Sequence, residues 1–134
     1  MMSEPVKDSI AGQIAGRITG SELEVMKLLW RAEDALPITE IRETLQRQKG
    51  WEPATIKTLV SRLVGKGALR QEKRNVYYYS PLIGEQEYNA WATDDLIHRL
   101  YNGSARDLVA ALVHSDGLTK QDLEELQNMF IVED

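Results

Sequence analysis

The stretch WEPATIKTLVSRLVGKGALRQEKRNVYYYSP, residues Trp51–Pro81, changes its apolar period once, and that change decides the fold. Ile56, Leu59, Val60, Leu63 and Val64 recur at i, i+3, i+4, i+7 and i+8, the apolar stripe of a helix. Pro53 has no N–H to lose and suits the first helical position, and Gly67 ends the run. From Ala68 the period drops to two. Ala68–Lys73 and Val76–Ser80 predict two short strands around Lys73-Arg74-Asn75. Tyr77, Tyr78 and Tyr79 suit a strand packed on one face, and Pro81 closes the hairpin.

Working toward the N-terminus, Gly50 is a natural stop for a short helix that begins after Thr39 and carries Ile41 and Leu45. Ala35-Leu36-Pro37-Ile38 reads as an extended link, because Pro37 biases its predecessor away from helix. Before it, Thr19 and Glu22 form the capping box of a helix that runs to about Arg31 on Leu23, Val25, Met26, Leu29 and Trp30. Residues 1–18 are expected to be a flexible tail, since Gly12, Gly16 and Gly20 interrupt the Ile10, Ile14, Ile18 spacing.

Toward the C-terminus a helix is predicted from about Glu85 to Tyr101, then a turn at Asn102-Gly103. Ser104 with Asp107, and Thr119 with Asp122, cap two further helices separated at Ser115-Asp116-Gly117. The chain is therefore expected to be mainly α with a small β-hairpin. A winged helix-turn-helix over residues 19–82 would be followed by a helical subdomain over residues 83–134.

In a winged helix the second helix of the pair enters the major groove and the hairpin lies along the DNA backbone. The wet face of the helix after Pro53 carries Thr55, Lys57, Thr58, Ser61, Arg62 and Lys66, hydroxyls and cations able to meet base edges or phosphates. Lys73 and Arg74 sit at the hairpin tip. Any amphipathic surface helix shows such residues to water, so a solvated face is the plain alternative. Element order and local charge favour DNA. Residues 49–74 hold seven basic side chains against Glu52 and Glu72.

The chain of 134 residues has a net charge of −5, unevenly spread. Residues 1–82 carry 13 basic and 10 acidic side chains, whereas residues 83–134 carry 3 and 11. The acidic half argues against indiscriminate coating of nucleic acid. There is no cysteine, which excludes disulfides, thiolate metal sites and cysteine catalysis. No window is apolar enough for a membrane span, and MMSEPVKDSIAGQ lacks the apolar core of a secretory signal. A cytoplasmic protein is expected.

His98 and His114 are the only histidines. Asp94 and His98 at i, i+4 could hold a metal but are more simply a solvated pair on a polar helix face. No nucleophile–base pair, carboxylate dyad or phosphate loop is evident. No enzyme activity, cofactor or metal is therefore expected. The C-terminal helices are too short to bury their own core. Tyr88, Trp91, Leu96, Leu100, Leu108, Leu112, Leu123, Leu126 and Phe130 are thus expected at a homodimer interface, the alternative being that they fold back on the winged helix.

L23-E-V-M-K-L-L-W30, W51-E-P-A-T-I-K-T-L-V-S-R-L-V64, K66-G-A-L69, V76-Y-Y-Y-S-P-L82 and R99-L-Y-N-G-S104 together resemble the penicillinase-repressor family, of BlaI/MecI/CopY type. The likeness covers about residues 19–130. It implies a homodimeric repressor acting on a palindromic double-stranded operator. It places Thr55, Lys57, Thr58 and Arg62 on the DNA-contacting helix and Arg74 on the wing. The copper-responsive branch uses a cysteine cluster that this chain lacks. Where the β-lactam branch is cleaved, at an Asn-Phe bond, this chain carries Ala111-Leu112. The operator, the inducing signal and any upstream sensor or protease are not legible. A winged helix serving protein contacts without DNA readout is the alternative function.

Overall fold

The computed structural model describes residues 9–130. It opens with a short helix, α1 (Ile10–Ala15), where a tail was expected. Ser9 caps it, its hydroxyl accepting from the Gly12 amide at 2.9 Å. The glycines that spoil helix propensity here serve close packing. Gly12 and Ala15 are buried, and a Cβ on Gly16 would stand 3.4 Å from the Trp91 ring. Residues 1–8 of the expected tail lie outside the described residues.

Helix α2 (Gly20–Arg31) has the anticipated capping box and buries Val25, Met26 and Leu29. The link that follows is a strand, β1 (Leu36–Pro37), at one edge of a three-stranded sheet. Helix α3 (Ile38–Lys49) starts directly after Pro37, ahead of the expected Thr39 cap, and has no side-chain cap bond. Gly50 ends it in the left-handed region, at φ 69°, donating its N–H to the Gln46 carbonyl.

Helix α4 (Pro53–Gly65) buries Ile56, Leu59, Val60 and Leu63. Its exit is a Schellman turn: the Gly67 amide bonds the Val64 carbonyl and the Ala68 amide the Leu63 carbonyl. That turn needs a left-handed residue, and Gly67 supplies φ +82°. It delivers the chain into β2 (Leu69–Lys73), which pairs antiparallel with β3 (Tyr77–Pro81). Leu69 lies opposite Pro81, Gln71 opposite Tyr79 and Lys73 opposite Tyr77. On the other edge Leu36 faces Tyr79 and Pro37 faces Tyr78.

The helix α5 (Glu85–Tyr101) begins inside this unit. The Trp30 indole N–H donates to the Ile83 carbonyl at 2.9 Å. The Tyr88 ring lies 5.7 Å from Trp30 and 6.0 Å from Trp91. Tyr88 and Trp91 therefore find their partners within the chain, on the winged-helix core, and the fold-back alternative holds for these two residues. The compact unit accordingly runs through Thr93, beyond the boundary expected near residue 82.

A second compact unit begins at Asp94. It holds the end of α5, a turn at Asn102 (φ 51°) and Gly103 (φ 87°), α6 (Ala105–His114) and α7 (Lys120–Met129). Ser104 caps α6, and Thr119 and Asp122 form the capping box of α7. Neither α6 nor α7 has a buried residue. Among the described residues no helix is long and apolar enough to cross a membrane.

Candidate nucleic-acid interface

Burying Ile56, Leu59, Val60 and Leu63 turns the opposite side of α4 to solvent, so Thr55, Lys57, Thr58, Ser61 and Arg62 are all exposed. Thr55, Thr58 and Arg62 stand at i, i+3 and i+7, one strip of the helix. The Thr58 hydroxyl donates to the Ala54 carbonyl at 2.9 Å, which fixes its rotamer and leaves its lone pairs outward. The first turn contains no acid, although Glu52 stands at the cap position and makes no capping bond. The free N–H groups there, with the helix dipole, favour an anion.

Beside α4 runs a cleft of about 440 Å³ between α3, α4 and the hairpin. Thr39 and Arg42 enter it from α3, Lys57 and Ser61 from α4, and Gln71 and Tyr77 from the strands. Thr39, Arg42, Gln71 and Tyr77 were missed as candidates. Arg42 follows Ile41 on a helix read for its apolar stripe, and it lies outside the cation-rich window that begins at Lys49. Only the packing of α3, α4 and the hairpin around one cleft puts it near Gln71 and Tyr77.

Strand alternation sends Gln71, Tyr77 and Tyr79 to the cleft side. Lys73 shares that alternation, its ammonium 5.8 Å from the Tyr77 ring centroid. Arg70, Glu72, Arg74 and Ser80 line the other side of the hairpin, with Glu33 and Asp34 from the α2–β1 loop. The Arg74 guanidinium stacks 4.4 Å over Tyr78 and reaches the Glu72 carboxylate at 3.4 Å. Lys73 and Arg74 are thus neighbours in sequence but engage different rings on different faces.

Lys66 is a correction to the expected DNA-contacting set. Its ammonium donates to both Glu22 oxygens at 2.6 and 2.9 Å and to the Arg17 carbonyl at 2.8 Å. Three protons meet three acceptors, so none is left for a phosphate. Glu22 is 1% exposed. Burial alone would push its carboxyl up, but the Lys66 ammonium and the Thr19 backbone and hydroxyl bonds outweigh it and hold the group below its ordinary range.

In the second unit the apolar residues expected at a dimer interface stay accessible. Leu96 and Leu108 are half-buried, and Leu100, Leu112, Leu123, Leu126 and Phe130 are exposed. Leu112, Leu123, Leu126 and Phe130 line one groove between α6 and α7. Asp94 and His98 approach to 3.5 Å, and among the described residues no three His, Asp or Glu side chains gather to hold a metal.

The family model described as penicillinase repressor matches residues 18–131. The penicillinase repressor of Bacillus licheniformis is 33% identical over 111 residues, 82% of this chain and 86% of that one. The methicillin resistance regulatory protein MecI of Staphylococcus aureus (strain N315) is 34% identical over 113 residues, 84% of this chain and 91% of that one. The solution structure of the DNA binding domain of the repressor BlaI superposes with a TM-score of 0.50 at 38% identity, over 54% of this chain and 88% of that one. That likeness agrees with the winged-helix topology built above, and the chain belongs to the penicillinase repressor family.

Proposed function

We propose that the chain is a transcriptional repressor that binds double-stranded operator DNA as a homodimer, with α4 in the major groove. The observation that carries this is the exposed Thr55–Thr58–Arg62 strip beside a cation-bearing cleft, in a unit similar to the DNA binding domain of BlaI. Thr55, Thr58 and Arg62 read base edges. Arg42, Lys57, Lys73 and Arg74 hold the flanking backbone, where charge matters more than sequence. The N-terminal turn of α4 takes a phosphate through its free amides.

The second unit supplies the dimer. Its outward leucines and Phe130 stay accessible along the groove between α6 and α7, and a two-fold interface covers the same patch on both copies. Two copies then present two recognition helices to two inverted half-sites. The acidic C-terminal half repels DNA, so binding concentrates on the α4 and hairpin surface. No catalytic role is assigned to any residue, and the site of action is cytoplasmic DNA.

Competition binding tests this. A duplex enriched by the chain from a random-sequence library should bind at least a thousandfold more tightly than its shuffled counterpart at physiological salt, within the usual range of roughly 10³–10⁷. Equal affinity for the two would sink the reading and favour a protein-contact module.

A further inference from the structure

We infer that Lys66 and Glu22 are positioning residues for DNA readout: their ion pair pins the C-terminal end of α4 to the start of α2. This rests on the assignment of α4 as the groove-entering helix.

The apolar contacts of α4, through Ile56, Leu59, Val60 and Leu63, are non-directional. They hold the helix against the core through shape and contact, with no bond directed at a single atom. A base-reading helix needs placement within roughly 0.5 Å and 10–20°. The ammonium of Lys66 supplies direction, because it is held by three acceptors from two places, the Glu22 carboxylate and the Arg17 carbonyl. Glu22 cannot follow a sliding helix, since one of its oxygens also accepts the Thr19 amide at 2.9 Å in the α2 capping box. The pin acts close to the reading strip. Lys66 is the C-cap of α4, and its own amide bonds the Arg62 carbonyl at 2.9 Å.

Stability alone does not call for this pair. A carboxylate 1% exposed is costly to desolvate, and an apolar pair of similar volume commonly serves as well. What the apolar pair lacks is a fixed direction.

The test uses the full chain, a duplex enriched by the wild type from a random library, and its shuffled counterpart, over a range of salt. The variants are Lys66→Met, which keeps the aliphatic stem, Glu22→Gln, which keeps an acceptor for Thr19, and the two combined. All are measured at a temperature where circular dichroism shows them folded. Each single variant should lose about tenfold in affinity for the enriched duplex, with shuffled binding and salt slope unchanged. The double variant leaves no unpaired buried charge. It should regain thermal stability over either single variant yet keep the narrowed ratio, and it stays measurable if a single variant fails to fold.

Two outcomes overturn the proposal while the DNA reading stands. One is a wild-type ratio in the double variant. The other is Lys66→Met weakening both duplexes alike and lowering the salt slope by about one, with Glu22→Gln silent, which makes Lys66 a phosphate contact. If the wild type itself enriches no duplex, the assignment of α4 falls and the proposal falls with it.

Discussion

Replacing Leu112 by alanine perturbs the proposed dimer at one residue per chain and two per complex. Leu112 is 45% exposed in the single chain, so less than half of its side chain remains to be covered by a second copy. Full burial of a leucine is worth about 1.5–3 kcal/mol, and the uncovered part is therefore worth roughly 0.7–1.4 kcal/mol. Alanine retains one methyl, which trims this further. A two-fold interface doubles the effect, giving about 1–2 kcal/mol per dimer, or roughly five- to thirtyfold in the dimer Kd. Sedimentation equilibrium over a concentration series measures that constant. Val76→Ala, on the hairpin of the other unit, serves as control and should leave it unchanged. The reasoning fails if Leu112→Ala dimerises as tightly as the wild type, or if the wild type stays monomeric at micromolar concentration.

Three further outcomes are expected. Trp30→Phe removes the N–H that satisfies the Ile83 carbonyl, a residue 1% exposed; the cost is about 1–3 kcal/mol, read as a Tm lowered by roughly 5–15 °C, and a melt within one degree of wild type would contradict it. The Glu22 carboxyl is held below its ordinary value of 4.5, so its contribution is fully present above that pH and is lost as the pH falls through the lower folded value. Urea titrations should show wild type and Glu22→Gln converging below pH 4.5 and parallel at neutral pH; parallel curves throughout would refute the ionised pair. Arg74→Ala should weaken enriched and shuffled duplexes alike and lower the salt slope by about one, whereas Thr58→Ala with Arg62→Ala should narrow their ratio by about 1–3 kcal/mol for each base edge no longer read. Loss of discrimination in Arg74→Ala alone would make the hairpin the reader.

Much of the fold was legible because short-range chemistry and long-range packing agree in this chain. The Thr19–Glu22 and Thr119–Asp122 boxes, the apolar stripe of α4 and the period change at Ala68 all form where the residues place them. The failures occur where a distant contact overrides a local preference. The glycines near α1 read as breakers, yet Gly16 is small because Trp91 lies against it. Leu36-Pro37 is extended, as its reading as an extended link has it, but its place in a sheet comes only through pairing with Tyr78 and Tyr79. Tyr88 and Trp91 read as unpartnered, yet Tyr88 packs on Trp30, far away in sequence, and Trp91 packs on Tyr88 and against Gly16.

The candidate site divides in the same way. Helical periodicity alone was enough to find the exposed strip of Thr55, Thr58 and Arg62. The same periodicity put Lys66 beside them, because spacing along a helix carries no information about a carboxylate on a neighbouring element. Arg42 was invisible for the converse reason. The cleft that makes it interesting is assembled by α3, α4 and the hairpin together. Neighbours such as Lys73 and Arg74 read as a single cationic tip until the strand register assigned them to different faces.

The most direct test of DNA readout by a dimer is recovery of the duplexes that the full chain binds from a random-sequence library, with the mass of the complex measured by sedimentation. The recovered sequences should share two inverted half-sites centred about one helical turn, or a multiple of it, apart, with two chains on each duplex. Recovery of duplexes without a common motif, or a single chain on a single half-site at saturation, would contradict it.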